Sequence, residues 1–298
     1  MSAPEGAHRP SGEERGSRSA PEGAHRPSGG QPGARTVRIA AVGDIHLGTD
    51  SQGWLRPDLE DLPGRADVLL LAGDLTHRGS LEEARVVAGE LRGLGLPVVA
   101  VLGNHDHHSD QTEQVVGVLE DAGVTVLEGT STQITTSDGT CLGIAGAKGF
   151  GGGFQGACAS DFGEPEMKAF IGHTRRTAEQ LGSALGELAT DHRVVLLHYA
   201  PVDDTLRGER LEIYPFLGSY LLAEAIDAHG ADLVLHGHAH GGVERGITPL
   251  GVRVRNVAQP VLRAAVRIYT LGVDDPPGPL EIDHELGALE GEPVAPRR

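Results

Sequence analysis

Five short stretches place metal-competent side chains directly after apolar runs. "GDIHLG" follows "TVRIAAV" and carries Asp44 and His46, and "GDLTHRG" follows "ADVLLLA" and carries Asp74, His77 and Arg78. "GNHD" follows "PVVAVL" and carries Asn104, His105 and Asp106. "HYAP" follows "RVVLL" and carries His198, and "HGHAH" follows "ADLVL" and carries His236, His238 and His240. Any one of these could be ordinary loop polarity; the same bias at five strand ends points to a shared site. Carboxylate, imidazole and amide donors without thiolate suit divalent Mn, Fe, Zn or Ni. Asp44, His46, Asp74, Asn104, His198, His238 and His240 are too many ligands for one tetrahedral ion and enough for two ions sharing a carboxylate.

The elements that must hold these residues alternate between strand and helix. Apolar runs over 36–44, 66–74, 97–104, 193–200 and 231–238 predict buried strands, with another strand near 124–127. Ser80 and Glu83 stand in capping-box spacing ahead of Leu81, Ala84, Val87, Ala88 and Leu91, which predicts a helix stopped by Gly93, Gly95 and Pro97. Further helices are expected over about 111–122, 164–189 and 218–229, and a hairpin turning at Asp138-Gly139 joins two strands. Single strands near 243–256 and 262–271 complete the expected domain, residues 36–273. The fold class is therefore α/β, a largely parallel sheet with helices outside and a second sheet packed on it. Such sheets bind ligands at the carboxyl ends of their strands, where all five motifs lie.

The ordered set Asp-x-His, Gly-Asp, Gly-Asn-His-Asp, His and Gly-His-x-His, spread over residues 36–271, resembles the calcineurin-like metallophosphoesterases. The resemblance implies a two-sheet β-sandwich flanked by helices. It implies that Asp44, His46 and His240 bind one metal, that Asp74 bridges, and that Asn104, His198 and His238 bind the other. It makes His105 the catalytic histidine, oriented by Asp106. "GNHD" is closer to the cyclic-nucleotide-phosphodiesterase and nuclease-like branches than to the protein phosphatases, and His77 stands where many relatives carry Asp. The implied reaction is hydrolysis of a small phosphodiester, a cyclic nucleotide or nucleotide-like ester: two cations polarise the ester and make a nucleophile available near neutral pH, and His105 protonates the leaving oxygen. A phosphoprotein or other monoester phosphatase, a nuclease and a non-catalytic metal-binding scaffold are the alternatives.

Composition narrows the partners. The formal charge is −17 over 298 residues. An acidic surface repels phosphate backbones, which disfavours long nucleic acid, although a bound metal can reverse the field locally. No apolar run approaches the roughly 20 residues of a membrane span, and no apolar signal core follows the charged N-terminus; a cytoplasmic enzyme is the expectation. Cys141 and Cys158 form no disulfide framework or zinc spacing, and no oligomer signature stands out. "SAPEGAHRPSG" occurs twice, at 2–12 and 19–29, so residues 1–35 are expected to be a disordered tail and 274–298 a flexible acidic one. Eight of the ten aromatic residues fall between 150 and 220. Among these, Tyr214 and Phe216 could form a wall over the site for a nucleobase or aryl group. "GFGGGFQG" (149–156) lacks the Gly-Lys-Ser/Thr ending of a phosphate loop and is expected to be a flexible loop. His236 is expected to pack behind the ligands, and His107 and His108 to lie in a surface loop.

Overall fold

The computed structural model describes residues 35–272; the two tails expected from the sequence lie outside the described residues. Five strands form the first sheet: β1 (Val37–Val42), β2 (Val68–Ala72), β3 (Val98–Val101), β4 (Val124–Val126) and β13 (Arg267–Leu271), in the order β13-β1-β2-β3-β4. Four of them run parallel, and β13 pairs antiparallel on the edge. β2 is buried along its whole length, as expected of a central parallel strand covered on both faces. The second sheet has the order β11-β12-β10-β9-β6-β5. Its members are β5 (Thr130–Thr135), β6 (Cys141–Ala147), β9 (His192–Leu197), β10 (Leu233–His236), β11 (Arg245–Ile247) and β12 (Arg253–Asn256).

Strand alternation explains the layering. Ile39, Ala41, Leu70, Val99 and Val101 from the first sheet meet Leu142, Ile144, Val194, Leu196 and Leu235 from the second in a core between the sheets. The alternate residues Ala40, Val42, Leu69 and Leu71 pack outward against the short helices α1 (Arg56–Leu59) and α2 (Leu62–Arg65) and against α3 (Leu81–Leu91) and α4 (Thr112–Glu120). On the other side Ala145, Val195, Leu197 and Val234 pack against α5 (Pro165–Gly186) and α7 (Tyr220–His229), the latter preceded by the short α6 (Tyr214–Leu217). Helix α3 carries the expected capping box, with Ser80 Oγ accepting from the Glu83 amide and the Glu83 carboxylate accepting from the Ser80 amide. A cap of this kind is worth about 1 kcal/mol.

Two expectations need correction. The segment 243–256 is two antiparallel strands, β11 and β12, joined through a turn in which Gly251 has φ +96°. "GFGGGFQG" is packed rather than loose. Gly149 to Phe154 are largely buried, and Gly153-Phe154 (β7) pairs with Ala157-Cys158 (β8). A side chain at Gly151 would run into the Pro215 carbonyl, so glycine here permits close backbone approach.

Candidate metal centre

The carboxyl ends of β1, β2 and β3 face those of β9 and β10, and the loops leaving them converge. Asp44, His46, Asp74 and His238 all adopt positive φ, at 56°, 43°, 51° and 68°. Non-glycine residues rarely occupy this left-handed region, and clusters of them mark sites where geometry is enforced by the surroundings. The glycines between them make room: a Cβ at Gly103 would strike the Asp74 carboxylate, and one at Gly237 would strike that of Asp44.

The seven candidate ligands form one continuous cluster. Asp44 Oδ1 lies 2.9 Å from His240 Nε2, which lies 3.5 Å from His46 Nε2. Asp74 sits centrally, with Oδ2 3.8 Å from His46 Nε2 and Oδ1 3.4 Å from His198 Nε2. His198 Nε2 is 3.0 Å from Asn104 Oδ1. Among the described residues, Asp44–His46–His240, His46–Asp74–His105 and Asp74–His198–His238 are the three triads whose ligand atoms lie within 4.8 Å of one another. Ligand atoms about 2.0–2.2 Å from a common cation stand roughly 3–4 Å apart, so the spacing fits divalent ions. His77 and His236 are outside these triads.

Protonation fits as well. Burial pushes Asp44 up to about 6 and raises Asp74, because desolvation in the interior disfavours the charged carboxylate. Burial also takes His46 down to about 4 and holds His198 and His238 well below the usual histidine range, which leaves neutral imidazoles with a lone pair to donate. The hydrogen bond to Asp44 raises His240. His198 Nδ1 lies 2.9 Å from the Ala72 carbonyl and can hold the ring's one proton there. In that tautomer His198 Nε2 and Asn104 Oδ1 are two converging lone pairs, an arrangement a cation resolves.

His105 lies beside this cluster. Its amide donates to Asp74 Oδ1 at 2.8 Å, and its ring Nε2 is 3.9 Å from Asp74 Oδ2. The ring is oriented by the His77 carbonyl, 2.8 Å from Nδ1. The expectation that Asp106 orients it is therefore corrected. Asp106 is fully buried, and its carboxylate accepts from the amides of Leu75 (3.2 Å), Thr76 (2.8 Å) and Gly103 (2.8 Å) and from Thr76 Oγ1 (2.6 Å). It ties the loop after β2 to the loop after β3. His236 packs behind the ligands as expected, between the Gly237 carbonyl (2.7 Å) and Thr205 Oγ1 (2.8 Å).

A cleft of about 370 Å³ lined by His77, Arg78, Asn104, His105 and His108 opens beside the centre. Of the two aromatic candidates, Tyr214 is engaged in packing. Its hydroxyl donates to the Leu206 carbonyl at 3.0 Å, and its ring meets Phe154 edge-on. Phe216 is 61% exposed, and its carbonyl lies 3.2 Å from His238 Nε2, which puts the residue at the rim. Lys148 was not singled out from the sequence. It follows β6, and its carbonyl accepts from the amides of His198 (3.1 Å) and Tyr199 (3.0 Å).

A two-sheet α/β sandwich with an Asp/His/Asn cluster at its strand ends that could hold metal is thus the class of protein that the fold and site define. The chain belongs to the calcineurin-like phosphoesterase family, whose model matches residues 37–242. It is 36% identical over 88 residues to a "probable cyclic nucleotide phosphodiesterase" from Synechococcus sp., covering 26% of this chain and 34% of that protein. The match spans about a third of the relative's length. One crystal structure superposes with a TM-score of 0.53 at 14% identity, over 79% of this chain and 99% of its own. TT1561 of Thermus thermophilus superposes with a TM-score of 0.48 at 21% identity, over 79% and 98% of the two chains. Among the described residues, no helix is long and apolar enough to cross a membrane.

Proposed function

We propose that this protein is a metal-dependent phosphodiesterase acting on small esters with an organic group of nucleotide or aryl character. Two divalent ions would be held by Asp44, His46 and His240 on one side and by Asn104, His198 and His238 on the other, with Asp74 between them. The observation that carries this reading is the central position of Asp74, whose carboxylate oxygens lie 3.8 Å from His46 Nε2 and 3.4 Å from His198 Nε2, one residue of each set. When bound, such ions supply positive charge that polarises a phosphate ester and lowers the pKa of water. His105, with Nδ1 engaged by the His77 carbonyl, has Nε2 available to deliver a proton to the departing oxygen. Phe216 offers an exposed ring at the rim for the organic group. Residues 36–273 form the catalytic domain in this reading, and the segments before and after it are dispensable for chemistry.

One experiment tests it. Purified protein loaded with Mn, Fe, Ni or Zn is assayed on a bis-aryl diester, a methyl aryl diester, an aryl monoester, cyclic nucleotides and a phosphopeptide, with metal content measured alongside. The diesters should be turned over and chelation should abolish turnover. Asp74→Ala should lower metal content, whereas His105→Ala should lower kcat about 10²–10⁴-fold on a poor leaving group with metal retained. Phe216→Leu should raise KM for the bis-aryl ester more than for the methyl ester. Preference for the phosphopeptide would move the protein to the phosphatase reading, and chelator-insensitive turnover would sink the metal assignment.

A further inference from the structure

Lys148 is one of only two lysines in the chain, the other being Lys168. It stands one residue beyond β6, whose last residue pairs with Leu197 of β9, so Lys148 lies alongside His198. Gly146 and Leu196 precede Lys148 and His198 by two positions, and Leu196 faces the core between the sheets; strand parity turns Lys148 toward that same side, where the centre opens. The ammonium sits 5.2 Å from the ring centroid of Phe150 and 5.8 Å from that of Tyr199, both within cation–π reach. Tyr199 in turn lies 4.4 Å, ring to ring, from the candidate ligand His238. Among the described residues no carboxylate pairs with this ammonium. Glu128 gives its carboxylate to the Lys148 amide instead, at 3.1 Å. A second polar atom close by is also unsatisfied: His107 Nε2 is buried without a hydrogen-bond partner, and its ring feels the Lys148 charge. Glu128 and Asp74 act on the ammonium only from beyond ion-pair distance, and a half-buried cation with no carboxylate in contact is costly unless something negative completes it.

We propose that Lys148 is a substrate-recognition residue whose ammonium receives a second anionic group of the ester, a carboxylate or phosphate separate from the scissile phosphorus. The assignment rests on the hydrolase reading above for what the ligand is. Phe150 and Tyr199 wall the ammonium. The second group would reach it from the metal centre across the Tyr199 ring. Substrates are then esters whose organic part is itself charged, and neutral-armed diesters are bound without this contact.

Two measurements on the full chain test it. In the first, inorganic phosphate is titrated calorimetrically into chelator-treated protein, where no metal competes for the anion. Wild type should bind, Lys148→Met should bind about tenfold more weakly, and Lys148→Arg should stay near wild type, since one charge-assisted hydrogen bond is at stake. In the second, the metal-loaded variants are compared on methyl and carboxymethyl esters of one aryl phosphate. Lys148→Met should raise KM about tenfold more for the carboxymethyl ester than for the methyl ester, with Lys148→Arg restoring the difference. Phosphate binding that is absent, or equal in wild type and Lys148→Met, overturns the proposal, as do equal KM changes on the two esters. If wild type hydrolyses neither ester while phosphate binding still depends on Lys148, the hydrolase reading fails and the anion site stands.

Discussion

Asp106 and His105 are neighbours in sequence and do different work. They lie in a 3-10 turn over His105–His107, where successive side chains point roughly 120° apart. His105 therefore faces the cluster of candidate ligands while Asp106 turns inward to the amides of Leu75, Thr76 and Gly103. That division was not legible in "GNHD", because adjacency in a motif does not say which way a tight turn sends each side chain. The seven ligand candidates were legible, because each follows a strand that its apolar run marks. Removing the Asp106 carboxylate strands several buried donors, each at a cost of about 1–3 kcal/mol before relaxation. Asp106→Ala is expected to lose about 2–4 kcal/mol of unfolding free energy in urea, whereas His105→Ala, at a half-exposed position, leaves stability nearly unchanged. A stable Asp106→Ala protein with abolished turnover would return Asp106 to a direct role in the chemistry.

At the scale of elements, the loop after β1 depends on a helix far along the chain. Glu90, buried on α3, accepts hydrogen bonds from the amides of Gly53 (2.5 Å), Leu55 (3.0 Å) and Arg56 (2.6 Å). It thereby fixes the segment that follows Asp44 and His46 to the helix that follows Asp74. Glu90→Ala should cost about 2–4 kcal/mol and speed hydrogen exchange at Gly53, Leu55 and Arg56 more than in β2. Uniform exchange across both regions would mean that the loop is held by other contacts. Glu90 lies on a helix whose cap and apolar face were readable from Ser80, Glu83 and the 3.6-residue spacing. Its partners lie far back along the chain, and periodicity carries no such pairing. The place of Lys148 was not legible for the same reason, since its position beside His198 follows from the β6–β9 register and not from any motif of its own. The burial of residues 149–154 was hidden too: glycine-rich composition looks the same in a mobile loop and where two backbones pack closely.

At the scale of the whole molecule, the net charge of −17 sets what can approach. Long-range repulsion acts on every phosphate of a polymer but is felt little by a small ester, whose one or two charges would end next to the cations of the proposed metal site. Raising salt shortens the Debye length from about 30 Å at 0.01 M to about 8 Å at 0.15 M. For the metal-loaded enzyme, kcat/KM on single-stranded DNA should therefore be low at low salt and rise as salt is added, while kcat/KM on a bis-aryl diester changes little. A protein that binds nucleic acid through a basic track shows the opposite sign, because bound counterions are released from the polymer and affinity falls with salt. The measurement is a pair of salt titrations at fixed pH and metal concentration. Falling activity on DNA, with the small ester unaffected, would reveal a local cationic path for the polymer and would favour the nuclease reading over a small-ester phosphodiesterase.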